Sequence, residues 1–340
     1  MEKRFKGGLV LGKFMPPHNG HLHLINSAAE KCEIVYVMIC SLKSEPINGI
    51  LRYNWLKTLY DGQDNIKIIH CQDENPQKPD ECESTDIFYI DYWIKSVYSR
   101  IKHRSIDVVF TSEEYGDEFA YYLGVEHVLV DIDRTTFPVS GTKVRENPFT
   151  NWNFIPDVVK PYFTKRIVIM GPESTGKSTL IKRLADHYSV DYIEEYGRKY
   201  TETIKKGKDL EVEDFFKIAT EHNENILENH TNSLNKLLFV DTEAITTKLF
   251  GEMYIDGYKD DRIDEIIQFQ WFDLYLLMDV DVPWINDGTR DFPNENDRKK
   301  HFNMIKSELD RLNKKYVIIT GDYDQRFELS KKEVENLGYL

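Results

Sequence analysis

Gly171-Pro172-Glu173-Ser174-Thr175-Gly176-Lys177-Ser178-Thr179 follows the apolar run Ile167-Val168-Ile169-Met170 and leads into a segment of helical period. An apolar strand, a loop bounded by two glycines, a Lys-Ser pair and a helix make the arrangement G-x-x-x-x-G-K-[ST]. Such a loop wraps phosphate oxygens with its amide N–H groups, while Lys177 reaches the β and γ phosphates and Ser178 binds Mg²⁺. Gly171, Glu173, Ser174, Thr175, Gly176, Lys177, Ser178 and Thr179 are therefore expected around an ATP co-substrate, with Mg²⁺ as cofactor. A sequence of this kind specifies a parallel α/β sheet, because the loop needs a strand behind it and a helix ahead.

Toward the C-terminus, Leu237-Leu238-Phe239-Val240 ends in Asp241-Thr242-Glu243. A carboxylate at the tip of a second strand is the expected partner of Ser178 in organising Mg²⁺, although an acidic residue there also serves simply as a helix cap. Glu194-Glu195-Tyr196-Gly197-Arg198 and Asp281-Val282-Pro283-Trp284-Ile285-Asn286-Asp287-Gly288-Thr289-Arg290 each follow an apolar run. Strand C-terminal ends are where open α/β sheets bind ligands, so Glu195, Tyr196, Arg198, Trp284 and Asp287 are candidates for nucleoside contacts and Arg290 for a lid. Spacing alone reads either segment equally well as a turn.

Toward the N-terminus, the stretch 147–161 holds three prolines and interrupts the pattern. A domain boundary is expected at about residue 163, giving domains 1–163 and 164–340. Ahead of it a second alternation begins with Gly8-Leu9-Val10-Leu11 and continues through expected strands at 34–40, 66–69, 108–111 and 128–131 and helices at 21–31, 51–60 and 87–101. The acidic stretch 71–86 reads as a solvated loop. The first handover from strand to helix carries Gly12-Lys13-Phe14-Met15-Pro16-Pro17-His18-Asn19-Gly20-His21. Free N–H groups and the positive end of a helix dipole attract anions there, and imidazoles donate hydrogen bonds even when neutral. Late in the same half, Val139-Ser140-Gly141-Thr142-Lys143-Val144-Arg145 places a helix-capping Ser140 beside Thr142 and Arg145 as further donors. Lys13, His18, His21 and Arg145 are expected to act on a triphosphate, with Gly12, Phe14, Ser140 and Thr142 around it. The chemistry this suits is in-line attack of an ionised phosphate on the α-phosphorus of ATP, which needs alignment and positive field but no general base.

Composition restricts the partners. A chain of 340 residues with 41% hydrophobic and 30% charged residues reads as two folded domains. A net charge of −14 argues against a protein that grips nucleic-acid backbone, so no DNA partner is expected. Four cysteines without a CxxC pair and the lack of a signal-like start point to a reducing, cytoplasmic setting. No apolar run approaches the roughly 20 residues of a membrane helix. A homo-oligomer is left open.

The HxGH string resembles the signature of the nucleotidyltransferase superfamily. With GPESTGKS, VSGTKVRENPF, the linker WNFIPDVVKPYF, EEYGR, DTEAITT and PWINDGTR, the chain is similar from about Gly7 to beyond Arg290 to the NadR-type family, bifunctional nicotinamide-nucleotide adenylyltransferases and ribosylnicotinamide kinases. The resemblance implies a Rossmann-like N-terminal nucleotidyltransferase domain and a C-terminal P-loop kinase. It implies that ribosylnicotinamide is phosphorylated by ATP and the resulting nicotinamide mononucleotide adenylylated to NAD. Arg52, Trp55, Ser112 and Glu113 would contact the pyridine nucleotide; Trp93 would stack on nicotinamide or else be a half-buried helix residue. Asp241 is the favoured proton acceptor of the kinase. Some relatives carry an N-terminal helix-turn-helix domain, for which the early position of the HxGH string leaves no room. Gly141 replaces an expected Ala and Glu243 an expected Asp, the latter leaving a metal role for Glu243 undecided. Rival readings are a phosphopantetheine adenylyltransferase joined to a dephospho-coenzyme A kinase, and an adenylyltransferase with an ATP-sensing P-loop module.

Overall fold

The computed structural model describes residues 3–76, 89–102, 105–206, 208–284 and 294–339. It divides into two compact units, Met1–Val159 and Lys160–Leu340. The division falls inside the proline-containing stretch between the two strand–helix series.

The first unit runs β1 (Phe5–Gly12), α1 (Asn19–Lys31), β2 (Cys32–Cys40), α2 (Gly49–Leu59), β3 (Ile66–Cys71), α3 (Tyr89–Tyr98), β4 (Val108–Thr111), α4 (Gly116–Leu123), β5 (Glu126–Leu129) and α5 (Gly141–Glu146). Its strands are all parallel in the order β3-β2-β1-β4-β5. Parallel sheets are covered on both faces, which is why β4 reads Val-Val-Phe-Thr with every residue buried. One face packs Val10, Ile25, Val37 and Phe110; the other packs Leu9, Met38, Val97 and Val109. The order reverses between β1 and β4, which opens a crevice at their C-terminal ends, beside Gly12 and Thr111.

The fifth strand lies two residues earlier than the periodicity suggests. Asp131 adopts φ 49° and its carboxylate accepts the N–H groups of Thr135, Thr136 and Phe137. That turn ends the extended backbone before Asp131 is reached.

The second unit runs β6 (Lys165–Met170), α6 (Lys177–Tyr188), β7 (Tyr192–Ile193), α7 (Tyr196–Tyr200), α8 (Val212–Thr231), β8 (Leu237–Asp241), α9 (Ala244–Tyr254), α10 (Asp261–Phe269), β9 (Leu274–Met278), α11 (Glu295–Arg311), β10 (Tyr316–Ile319) and α12 (Tyr323–Val334). Its parallel order is β10-β9-β6-β8-β7, with β6, which feeds the glycine-bounded loop, in the centre. Both faces are again apolar. Among the described residues no helix is long and apolar enough to cross a membrane.

Candidate functional sites

Each unit opens a cavity at the C-terminal ends of its central strands. In the first unit a cavity of about 710 Å³ is lined by Gly12, Lys13, Phe14, His18, His21, Trp93, Ser112, Glu113, Ser140, Thr142 and Arg145, among others. Sequence positions more than a hundred residues apart thus meet in one place.

His18 and His21 stack, with ring centroids 3.7 Å apart. The His18 N–H donates to His21 Nδ1 at 3.3 Å, so the proton of a neutral His21 sits on Nε2, where it serves as a donor. Burial, then the neighbouring Arg134, pushes His18 down to about 4, and burial with His18 and Arg134 holds His21 well below its usual value. Both rings are therefore neutral at pH 7, and the fixed positive charge at the cavity comes from Lys13, Arg134 and Arg145.

Arg145 donates to the Met15 carbonyl and, at 3.1 Å, to Thr142 Oγ1, which ties α5 to the loop after β1. Ser140 caps α5 by accepting the Lys143 N–H at 3.2 Å. Gly141 has a steric reason: a Cβ there would lie 2.6 Å from the Met15 carbonyl oxygen, so an alanine would force the two loops apart. Lys13 Nζ lies 2.9 Å from Glu45 Oε1 at the cavity mouth.

Arg52 and Trp55 are not among the cavity's lining residues. Arg52 is fully buried, bonding through Nη1 to the Lys13 carbonyl at 2.7 Å and through Nη2 to Glu45 Oε2 at 2.5 Å; Trp55 packs in the core. Arg52 thus stands behind Lys13, holding its carbonyl. Trp93 is half-buried on α3, donates from Nε1 to the Pro76 carbonyl, and lines the cavity.

In the second unit a cavity of about 530 Å³ is lined by the loop residues Glu173 to Thr179, by Glu195 and Arg198, and by side chains of α8 and α9. Gly171 and Gly176 adopt φ 143° and 83°, which side-chain-bearing residues rarely accept and which turn the amides of the loop inward. Lys177 is buried and its Nζ rests on the loop's own carbonyls, Gly171 O at 2.9 Å and Pro172 O at 3.0 Å. Arg326, itself buried, donates to the Thr175 carbonyl and braces the loop from behind.

Ser178 Oγ donates to Asp241 Oδ2 at 3.1 Å. The other oxygen of Asp241 is buried without a hydrogen-bond partner, and burial together with the Glu195 carboxylate raises its pKa to about 7. A buried carboxylate with one idle oxygen, directly beside a serine hydroxyl, is a donor set suited to a hard divalent cation. Glu243 is not part of it. Its carboxylate is buried and accepts the N–H groups of Ile245 (2.7 Å) and Thr246 (3.0 Å), capping α9, and burial raises it to about 7.

Asp241 does not line the cleft, whereas Glu195 does. Tyr196 and Trp284 are half-buried and are not among the lining residues either. Asp287 and Arg290 lie outside the described residues, as does the span 77–88. Residues that no motif marked complete both sites: Arg134 in the first unit, with Glu45 behind Lys13, and Phe215, His222, Phe250 and Tyr254 as walls in the second. Phe215, Ile218 and His222 share one stripe of α8, a spacing that reads as ordinary core.

Fold and cavities together define a class, a nucleotidyltransferase-like domain and a P-loop kinase-like domain on one chain. Residues 9–147 match the cytidylyltransferase-like family model and residues 166–326 the AAA domain model. The chain is 33% identical to the trifunctional NAD biosynthesis/regulator protein NadR of Escherichia coli (strain K12) and 32% identical to that of Salmonella typhimurium (strain LT2). Each match covers 94% of this chain and 80% of the relative. The chain belongs to the NadR family of NAD biosynthesis enzymes. Crystal structures of NadR protein, one in complex with NR and one with NAD and AMP-PNP, superpose with TM-scores of 0.80 and 0.77 at 23% identity. They cover 99% and 98% of this chain and are covered by it to 96% and 97%, a likeness that shows the two-domain fold.

Proposed function

We propose that the second unit transfers the γ-phosphoryl group of ATP to the 5′-hydroxyl of ribosylnicotinamide, and that the first joins the resulting mononucleotide to AMP from a second ATP, releasing pyrophosphate and forming NAD. The observation that carries this reading is the pair of phosphate cavities, each closed within a single unit and each built to a different plan.

In the first unit the attacking phosphate is already an anion, so the residues have only to align it and stabilise the charge that grows on the α-phosphoryl group. His21 Nε2–H, Lys13, Arg134 and Arg145 supply that field, and Phe14 with the neutral rings keeps the site poor in water. Trp93, Ser112 and Glu113 lie where the pyridine nucleotide would sit.

In the second unit the loop amides and Lys177 hold the phosphates, and Ser178 with Asp241 would hold Mg²⁺, which when bound neutralises the β and γ oxygens. We assign the proton of the attacking hydroxyl to Glu195 rather than Asp241. Asp241 is engaged with Ser178 beneath the loop, while Glu195 faces the open cleft. Phe215, Phe250 and Tyr254 give the cleft an apolar wall of the kind a pyridine ring needs.

Incubating the chain with ATP, Mg²⁺ and ribosylnicotinamide tests the proposal. Mass spectrometry should show nicotinamide mononucleotide first and NAD afterwards, and phosphopantetheine should give no adenylylated product. ATP binding without ADP formation on addition of ribosylnicotinamide would instead make the second unit a sensing module.

A further inference from the structure

The geometry points to Glu45 as the residue that positions Lys13 for adenylyl transfer, an inference that rests on the adenylyltransferase reading of the first unit. Lys13 stands just past β1 at the mouth of the cavity, and its side chain is 45% exposed. A lysine so placed is a flexible four-carbon stem that water competes for. Here it is held at both ends. Arg52 Nη1 donates to the Lys13 carbonyl at 2.7 Å, fixing its backbone, and the Lys13 ammonium meets Glu45 Oε1 at 2.9 Å.

Glu45 is itself immobile. Only 6% of its side chain is exposed, and its second oxygen accepts Arg52 Nη2 at 2.5 Å and the Leu42 N–H at 3.1 Å. The side chain of Arg52 is wholly buried, so this pair has nothing to offer a ligand directly. The triad instead links the 41–48 loop and α2 to the loop that carries the phosphate donors, and it ends in one ammonium at the cavity mouth. That ammonium matters because the two imidazoles are neutral and Arg145 is committed to Met15 and Thr142. Held by the Glu45 charge 2.9 Å away, the Lys13 ammonium still has N–H groups to offer phosphate oxygens.

A purely structural bridge between two loops predicts something different. Loss of the Glu45 charge would then lower stability and weaken substrate binding whether or not Lys13 is present. Positioning predicts an effect on turnover that passes through Lys13. The test is a double-mutant cycle on the full-length chain, reading kcat and KM for NAD formation from nicotinamide mononucleotide and ATP, with ribosylnicotinamide phosphorylation and the thermal midpoint followed in parallel.

Glu45→Gln keeps an acceptor for the Leu42 N–H and should lower kcat by roughly 10- to 10²-fold with KM for the mononucleotide little changed and the kinase rate intact. In the Lys13→Ala background the same substitution should cost nothing further. Glu45→Asp keeps a negative charge beside buried Arg52 while drawing the carboxylate back from Lys13 by one methylene; it should reproduce the Lys13-dependent loss, and it decides the matter should Glu45→Gln unfold. Wild-type turnover in both Glu45 variants, or the same loss with and without Lys13, overturns the inference. A wild-type chain that makes no NAD from these substrates overturns the reading of the first unit instead.

Discussion

The first cavity offers an anion mostly side chains, the second mostly main chain. Around the first cavity stand two stacked imidazoles that burial keeps neutral, one lysine tethered to a buried glutamate, and two arginines, contributed by loops and helix starts spread from Lys13 to Arg145. Around the second, seven consecutive residues, Glu173 to Thr179, form the cradle, with buried Lys177 and the buried Asp241 carboxylate beside it and Glu195 and Arg198 also lining the cavity. A side-chain field is assembled by tertiary structure and can be taken apart group by group. A main-chain cradle is local, and what tertiary structure adds to it is the carboxylate beneath.

That contrast makes the Asp241 carboxylate the sharpest target in the second unit. Asp241→Asn should cut ribosylnicotinamide phosphorylation by about 10²-fold or more, because the Mg²⁺ donor set is lost. It should leave the thermal midpoint unchanged or higher, because burial and Glu195 already work against the charge. A large fall in midpoint would mean that the carboxylate is structural. In the first unit a single donor among several should matter less. Arg134→Ala should lower NAD formation by on the order of 10-fold, and it should shift the acid limb of the rate profile upward in pH, since Arg134 is one of the charges holding His18 down at about 4. An unmoved acid limb would show that burial alone sets the His18 value.

The smallest effect is one of linkage. Asp241 titrates near 7 when folded against an ordinary 3.8, so the folded form binds the proton more tightly and stability from this group declines as pH rises through 7. Mg²⁺ bound at Asp241 would displace that proton. The rise in thermal midpoint on adding Mg²⁺ should therefore be larger at pH 8 than at pH 6. Equal shifts at the two values would place the cation elsewhere.

The same contrast explains what could be read in advance. The P-loop was legible because its geometry is written in adjacent residues, with glycine where φ is 143° and 83° and lysine at the helix start. The HxGH segment was legible for the same reason, and the parallel sheets followed from apolar runs alternating with helices. Arg134 and Glu45 were not, since Arg134 reaches the cavity, and Glu45 reaches Lys13, from a loop whose local sequence has no periodicity or motif. A resemblance carries residue type without burial, and only the fold reveals that the Arg52 side chain has no exposed surface. Asp241 and Glu195 were both visible as carboxylates at strand ends. Which lies beneath the loop and which faces the cleft depends on strand length, and β7 ends after two residues. The aromatic walls of the second cavity looked like the core stripe of α8.

The central claim is that one chain carries two ATP sites that work independently. Its most direct test is to measure both half-reactions in two variants, His21→Ala and Lys177→Ala. Adenylylation of nicotinamide mononucleotide should fall by about 10²- to 10³-fold in the first with phosphorylation of ribosylnicotinamide intact, and the reverse should hold in the second. Loss of both activities in either variant, with the fold preserved, would contradict it.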